Sequence, residues 1–175
     1  GLRDFASHAS GARIITSLTS ATSAKHMAIQ DRSVRKWWKE WKHMETRTVQ
    51  PPETALMPDL GPTDCWPTST FSGYLGVQLS EPANITHITI DHIAKKLAPD
   101  IRMAPRLIEC WKEYIDHRLA LIPLGQVEYD IHAETHIQHF PLQFYGKQKF
   151  DRVIFHFLDN WGSQECTCIY RVRVH

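Results

Sequence analysis

Apolar and polar residues alternate in short segments along much of the chain. The alternation is strict in residues 167–175, where Ile169, Arg171 and Arg173 fall on one face and Tyr170 and Val172 fall on the other. A period of two is typical of a strand with one buried face. Loose chain ends are usually polar, so we predict that this stretch is pinned within a sheet.

Similar segments at near-regular spacing predict the other strands. They cover residues 12–16, 73–79, 85–93, 106–114, 122–131, 139–145 and 152–158. Many short strands separated by turn residues favour an all-β fold, a β-sandwich of the jelly-roll kind. A length of 175 residues suits a single domain over residues 1–175.

Residues 24–45 have a different period. Val34, Trp37, Trp38 and Trp41 recur at helical spacing, and basic residues surround them. Three interpretations remain open. The segment is an amphipathic helix packed on its own domain, a docking surface built on three tryptophans, or a basic helix at a membrane surface.

Residues 46–68 contain five prolines, which disfavour a regular helix or a central strand, so we predict a long irregular loop. The side chains of Thr54, Asp59 and Asp64, together with free backbone carbonyls, suit a hard cation bound through oxygen. A proline-stiffened surface loop without an ion is the alternative.

The formal net charge of +1 argues against nucleic acid as a partner, because phosphate binding favours a concentrated positive field. No apolar run approaches the roughly 20 residues that span a bilayer, and no signal peptide is visible. Gly1 leads us to expect a fragment of a longer protein. Any contact with a membrane is then expected through a segment absent from this chain.

The eleven histidines suggest a metal hypothesis, because His132, His136 and His139 lie close together in sequence. A zinc hydrolase is one interpretation and solvated loop histidines are the other. The sequence contains no H-E-x-x-H, G-x-S-x-G or P-loop motif, so we predict that the protein is not an enzyme.

Cysteine usage and one short motif bear on the compartment. The four cysteines include no C-x-x-C pair, which disfavours a zinc ribbon. The sequence Asn84-Ile85-Thr86 is a glycosylation sequon and hints at an oxidising compartment.

The C-terminal sequence resembles the closing signature of the SUN-domain family, through Asn-Trp-Gly at 160–162 and Thr-Cys-Ile-Tyr-Arg-Val-Arg-Val-His at 167–175. Further matches are Asp-Phe-Ala at 4–6, Pro-Asp at 58–59, Cys-Trp at 65–66, Gly-Tyr-Leu-Gly-Val at 73–77, Thr-Ile-Asp-His-Ile-Ala-Lys at 89–95 and Ala-Pro at 104–105. Residues 20–50 and 115–150 match poorly.

This resemblance implies both a fold and a function. SUN domains are β-sandwiches in the lumenal part of inner nuclear membrane proteins, and they form trimers on a coiled coil. They bind the C-terminal KASH peptides of outer nuclear membrane proteins within the LINC complex. The implied location is therefore the perinuclear lumen, where the assembly bridges the nuclear envelope and couples the nucleus to the cytoskeleton.

The resemblance also assigns roles to residues in this chain. It implies a disulfide between Cys65 and Cys168. It also implies a pocket for the KASH carboxylate that includes His92 and Tyr170, and we expect both of these side chains to donate hydrogen bonds to the carboxylate. It implies a potassium ion in the cation loop, residues 54–64. The matched potassium positions are Thr54, Met57, Asp59, Asp64 and Tyr170. Residues 20–45 take the place of the KASH lid, so Trp37, Trp38 and Trp41 are expected to contact the peptide.

Three positions depart from the family pattern. Cys166 replaces a tyrosine of the pocket, and Met103 replaces a serine. We expect these changes to alter the peptide preference. Thr19 replaces a cysteine that in some relatives bonds covalently to the peptide, so we predict no such link unless Cys166 substitutes for it. The alternative function is that of a carbohydrate- or ligand-binding β-sandwich of the discoidin-like kind.

Overall fold

Ten strands form three antiparallel sheets in a computed structural model of the chain, which describes residues 1–23, 49–116, 118–143 and 148–175. The strands are β1 (Arg13–Ile14), β2 (Trp66–Thr68), β3 (Gly73–Ala83), β4 (His87–Asp91), β5 (Leu107–Asp116), β6 (Arg118–Glu128), β7 (Ile137–Pro141), β8 (Phe150–Phe157), β9 (Thr167–Ile169) and β10 (Arg171–Val174). Their orders are β1-β3-β8-β5-β6, β10-β4-β7 and β2-β9.

The two larger sheets share one hydrophobic core, which confirms the predicted β-sandwich. Leu75 and Phe155 from the five-stranded sheet lie in the same buried cluster as Ile88, Ile90 and Val172 from the three-stranded sheet. Each of these side chains is at most 2% exposed. Full burial of such a side chain stabilises the fold by about 1.5–3 kcal/mol.

The C-terminal stretch is two strands rather than the single strand that we predicted. It breaks at Tyr170, so β9 pairs with β2 while β10 pairs with β4. Burial alternates along β10 but not along β9, where all three residues are buried. The stretch therefore connects two sheets, and Tyr170 lies at the junction.

Residues near the N-terminus cover part of the outer edge of β10. The backbone N–H of Phe5 donates to Val174 O at 2.8 Å, and Asp4 Oδ1 accepts from the Val174 N–H at 3.2 Å. The Asp4 carboxylate also pairs with Arg171 at 3.0 Å. Together with the pairing to β4, these contacts hold β10 along both edges, as expected for a strand pinned within a sheet.

A proline lies within a strand, contrary to the prediction for the proline-rich segment. Pro67 is the middle residue of β2 and stands opposite Cys168 of β9. Proline lacks the N–H that a ladder needs, which confines it to sheet edges. The two-stranded sheet tolerates Pro67 for this reason. Upstream, Pro52–Leu56 forms a 3₁₀ helix instead of irregular loop.

Several strand boundaries also differ from the predicted ones. The strand predicted at 12–16 covers only Arg13–Ile14, because a 3₁₀ helix begins at Thr16. The strand predicted at 122–131 begins earlier, at Arg118, and pairs with β5 as a hairpin. Most of the segment predicted as a helix or lid lies outside the described residues. Within the described part of the chain, no helix is long and apolar enough to cross a bilayer.

Candidate functional site

His92 follows β4 directly, and its side chain is only 2% exposed. Its Nδ1 lies 3.0 Å from Ile93 O. A carbonyl oxygen only accepts hydrogen bonds, so Nδ1 carries the proton and Nε2 carries a lone pair in the neutral ring. Nε2 is buried and has no hydrogen-bond partner among the described residues. Burial lowers the pKa of His92 to about 4, so the ring is neutral at pH 7.

Tyr170 packs edge-on against His92, with ring centroids 4.5 Å apart. The break between β9 and β10 places this side chain in the interior, where it is 2% exposed. Its hydroxyl donates to Pro62 O at 2.9 Å. Burial, with a smaller contribution from the charge of Asp64, raises the pKa of Tyr170. The phenol is therefore protonated at neutral pH, and its hydrogen atom is directed at the proline-rich loop.

Two sulfur-containing side chains fill the space beside this pair. Met103 is 3% exposed and Cys166 is fully buried, and their sulfur atoms lie 3.6 Å apart. Both belong to a small buried cluster that also contains Ile93 and Tyr170. Burial raises the pKa of Cys166 to about 12, so its thiol is protonated. The family pattern has hydroxyl groups at positions 103 and 166, whereas this chain has weakly polar sulfur groups there.

The same cluster contains the disulfide. Cys65 and Cys168 are bonded, with Cα atoms 5.4 Å apart, which is an ordinary spacing for such a bond. The bond closes 103 residues of sequence and joins the start of β2 to β9. A loop of this length gives about 4.7 kcal/mol in the chain-entropy model, although roughly 2–4 kcal/mol is typical.

Residues 54–64 form a loop next to Tyr170, and hydrogen bonds within the loop close both of its ends. The Met57 N–H donates to Thr54 O at 3.1 Å. Asp64 closes the other end, since its carboxylate accepts from the Gly61 N–H and its own N–H donates to Gly61 O, both at 3.0 Å. The bond from Tyr170 to Pro62 O then ties the turn to the end of β9.

This arrangement suits an ion held by carbonyl oxygens better than one held by carboxylates. Among the residues that the structure describes, no group of three His, Cys, Asp or Glu side chains could hold a metal ion. Carbonyl oxygens such as Thr54 O and Pro62 O accept one hydrogen bond each here and keep a second lone pair. Rings of carbonyl oxygens are the ligands that potassium prefers. Asp59 is exposed and Met57 is half-buried.

The three histidines at 132–139 do not converge on one point. The His132 ring packs edge-on against Trp161, with centroids 5.5 Å apart. His139 Nδ1 lies 2.7 Å from Thr89 Oγ1, on the three-stranded sheet. His136 is exposed and precedes β7, and its carbonyl accepts from the His92 N–H. This arrangement argues against the zinc site.

Tyr129 is a further residue of the site that the sequence did not single out. It is 2% exposed, its ring lies 5.9 Å from His92, and its hydroxyl donates to His136 O at 2.9 Å. Tyr129 and the loops that contain Lys95 and His132 line a cavity of about 240 Å³. The sequence did not indicate this position, because a tyrosine within the strand predicted at residues 122–131 is an ordinary core residue. Trp37, Trp38 and Trp41 lie outside the described residues.

Comparison with known protein families identifies the family of this chain. The family described as Sad1 / UNC-like C-terminal matches residues 45–175, which is most of the chain. The chain belongs to this family. It is 32% identical to SUN domain-containing protein 5 of Mus musculus over 179 residues, covering 98% of this chain and 44% of that protein. It is 31% identical to SUN domain-containing protein 2 of Mus musculus, covering 100% of this chain and 23% of that protein.

The SUN domain therefore spans less than half the length of these two relatives. Among solved structures, the chain resembles the family 32 carbohydrate-binding module of Streptococcus pneumoniae EndoD, with a TM-score of 0.62, 13% identity and 99% of each chain covered. It also resembles allantoicase from Saccharomyces cerevisiae, with a TM-score of 0.60, 13% identity and coverage of 98% of this chain and 42% of that one. At this identity the likeness concerns the fold alone.

Proposed function

We propose that this SUN domain binds the C-terminal peptide of KASH proteins and has no catalytic role. In this proposal the domain lies in the perinuclear lumen at the inner nuclear membrane, as part of a homotrimer. The peptide belongs to an outer nuclear membrane protein, so the pair bridges the nuclear envelope and couples the nucleus to the cytoskeleton. The observation that carries the proposal is the buried Nε2 of His92 beside Tyr170, for which the described part of the chain offers no hydrogen-bond partner.

A buried polar atom without a partner is unfavourable by about 1–3 kcal/mol, so such atoms are rare in folded proteins. His92 therefore has an energetic reason to accept a hydrogen bond from a ligand. The neighbouring cavity of about 240 Å³ is large enough for a few heavy-atom groups, such as the end of a peptide. A site of this kind suits a chain terminus better than a folded surface.

The end of a peptide offers both a donor and an acceptor. In the proposed complex, His92 Nε2 accepts from the backbone N–H of the last peptide residue. The Tyr170 hydroxyl rotates its hydrogen from Pro62 O to the terminal carboxylate, which accepts it. Met103 and Cys166 pack against the last side chain, because their sulfur atoms are polarizable and adapt to irregular shapes.

The loop at 54–64 is proposed to hold the potassium ion that the family resemblance implies. The proposed ligands are the matched oxygens of Thr54, Met57, Asp59, Asp64 and Tyr170. A bound cation would supply positive charge near the peptide carboxylate. The hydrogen bond between Tyr170 and Pro62 supports this link between loop and pocket. The disulfide of Cys65 and Cys168 is compatible with an oxidising compartment such as this lumen.

Binding of a labelled peptide that ends in Pro-Pro-Pro-x tests the proposal. Full-length protein is compared with Tyr170→Phe and His92→Gln, and the peptide with its C-terminal amide and with a form methylated at the last backbone nitrogen. Loss of a hydrogen bond to a charged group is worth about 1.5–3 kcal/mol, so we expect at least tenfold weaker binding of the amide. We expect a similar loss for Tyr170→Phe. The N-methyl peptide and His92→Gln remove a hydrogen bond between neutral groups, worth about 0.5–1.5 kcal/mol, so they should weaken binding by about two- to tenfold.

Thr89→Val is the matched control, because Thr89 is buried in the same sheet but bonds to His139 and His175 instead. It should bind the peptide as the wild type does. Equal binding of carboxylate and amide peptides would contradict the proposal.

A second candidate function rests on a different surface. A groove of about 470 Å³ on the five-stranded sheet is lined by aromatic and apolar side chains that include Tyr74, Trp111 and Leu121. Aromatic grooves of this size suit small organic ligands, including sugars. Glycan binding that is lost in Tyr74→Ala but retained in Tyr170→Phe would favour a carbohydrate-binding protein over a peptide receptor.

A further inference from the structure

Asn84 begins the sequence Asn84-Ile85-Thr86 in the connection between β3 and β4. An asparagine followed two positions later by serine or threonine, without an intervening proline, is the acceptor motif for N-linked glycans. The sequence has two asparagines, and the other one, Asn160, is followed by Trp161 and Gly162, which do not fit the motif. Asn84 is therefore the one possible acceptor in the sequence.

The fold presents this motif to solvent. Ala83 and Ile85 are buried at 4% and 1% exposure, whereas Asn84 and Thr86 are exposed. The core residues on either side thus direct both motif side chains outward. A glycan attached to Asn84 would displace none of the buried side chains.

The backbone of the motif is held firmly in this orientation. The Thr86 N–H donates to His175 O at 2.7 Å, and Thr86 O accepts from the Leu142 N–H at 2.8 Å. Thr86, the last residue of the motif, is therefore bonded to the chain on both sides. The burial of Ala83 and Ile85 on either side of Asn84 leaves the Asn84 side chain at the surface.

The two asparagines contrast in their hydrogen bonding. The Asn160 amide donates to Ser163 O, Cys166 O and Thr167 Oγ1, so it is a structural residue. The Asn84 side chain makes no hydrogen bond within the described part of the chain. Its amide nitrogen is available for modification.

Asn84 lies away from the proposed peptide site. Asn84 precedes β4 and His92 follows it, so the two residues lie at opposite ends of this five-residue strand. At roughly 3.4 Å per residue, the strand separates them by about 17 Å or more. A glycan at Asn84 would leave the His92 pocket accessible.

We propose that Asn84 carries an N-linked glycan at the end of the sandwich opposite the His92 pocket. This proposal rests on the lumenal placement in the proposed function. The donor is an oligosaccharide carried on a polyprenyl pyrophosphate. The amide nitrogen of Asn84 forms a bond to the anomeric carbon and loses one proton. The bond from that carbon to the pyrophosphate oxygen breaks, and the pyrophosphate leaves with the electron pair.

The test is the electrophoretic mobility of full-length protein made in eukaryotic cells, before and after treatment with an N-glycosidase. Four variants are compared with the wild type, namely Asn84→Gln, Thr86→Ala, Thr86→Ser and Ala133→Asn. Thr86→Ser keeps the motif, and Ala133→Asn makes a second motif with Thr135 in an exposed turn. Mass spectrometry of the peptide that contains residue 84 assigns the site.

We expect the wild type to contain one glycan at residue 84, which Asn84→Gln and Thr86→Ala lose and Thr86→Ser keeps. Ala133→Asn should add one further step in mobility. A glycan at position 133 with none at position 84 would overturn this proposal and leave the lumenal placement intact. No glycan at either position would overturn the lumenal placement as well, while peptide binding by purified protein would still test the pocket separately.

Discussion

His175 and His92 lie at opposite ends of the three-stranded sheet, and they differ in how many of their ring nitrogens are hydrogen-bonded. His175 Nδ1 donates to Arg3 O at 2.8 Å, and its Nε2 lies 2.9 Å from Thr89 Oγ1. Thr89 in turn accepts from His139 Nδ1 at 2.7 Å in the neutral form of this network. Both nitrogens of His175 therefore have partners, whereas within the described ranges of the chain His92 has a partner at Nδ1 only.

This difference is the reason why we propose a structural role for His175 and a binding role for His92. Burial of a polar ring is tolerated when all its hydrogen bonds are made, and such a network fixes one arrangement of strands. His92 is the more buried of the two rings, at 2% against 6% exposure, yet it leaves an acceptor unmatched. The ligand that we propose would supply the missing hydrogen bond.

The largest expected difference between the two ends of the sheet is the pH dependence of stability that His92 causes. Unfolded His92 binds a proton near pH 6.5, but the folded ring resists protonation until about pH 4. The unfolded state thus binds more protons between these values, so stability falls as pH falls through this window, by about 3 kcal/mol in total. Urea unfolding at pH 7 and at pH 4 measures it. A His92→Gln protein should lack this part of the loss, and an unchanged loss in that variant would contradict the account.

A somewhat smaller effect is expected at the other end of the sheet. Thr89→Val removes the hydroxyl that joins His139 to His175 and leaves the buried Nε2 of His175 without a partner. We expect a loss of about 1–3 kcal/mol in the free energy of unfolding at pH 7. His92→Gln should cause a smaller loss, because the ring makes one hydrogen bond within the described residues, at Nδ1, whereas Thr89 joins two rings. The reverse order would show that we have assigned the two histidines wrongly.

The smallest effect concerns Tyr170. Tyr170→Phe keeps the ring against His92 but removes the bond to Pro62 O, which should lower the free energy of unfolding by about 1 kcal/mol. Its effect on peptide affinity should exceed its effect on stability. Equilibrium unfolding and peptide titration of the same sample compare the two, and a variant that loses stability but keeps full affinity would argue against a role in binding.

The alternation of residues predicted most of the fold, since it depends only on which face of each strand is buried. It did not predict the break at Tyr170, because the alternation continues through this residue without interruption. The change of sheet arises from pairing with β2 and β4, which are distant in sequence. The strand at Pro67 was missed for a related reason. A strand accepts proline where its N–H side is unpaired, and the two-stranded sheet that provides such an edge is formed by pairing with a distant segment.

The site was predicted less completely. Resemblance led to His92, Tyr170 and the Cys65–Cys168 disulfide, which the structure contains. The directions of the hydrogen bonds could not be predicted, because they depend on Ile93 O and Pro62 O in the folded chain. Our expectation that both side chains donate to a carboxylate therefore becomes a proposal in which His92 accepts and Tyr170 donates.

The most direct test of this proposal is nitrogen NMR of the histidine rings during titration with the Pro-Pro-Pro-x peptide. We predict that His92 starts as the form protonated at Nδ1, and that its Nε2 resonance moves as the peptide binds. The resonances of His175 should stay in place, since its nitrogens already have partners. Saturating peptide binding with an unchanged His92 Nε2 resonance would contradict the central claim.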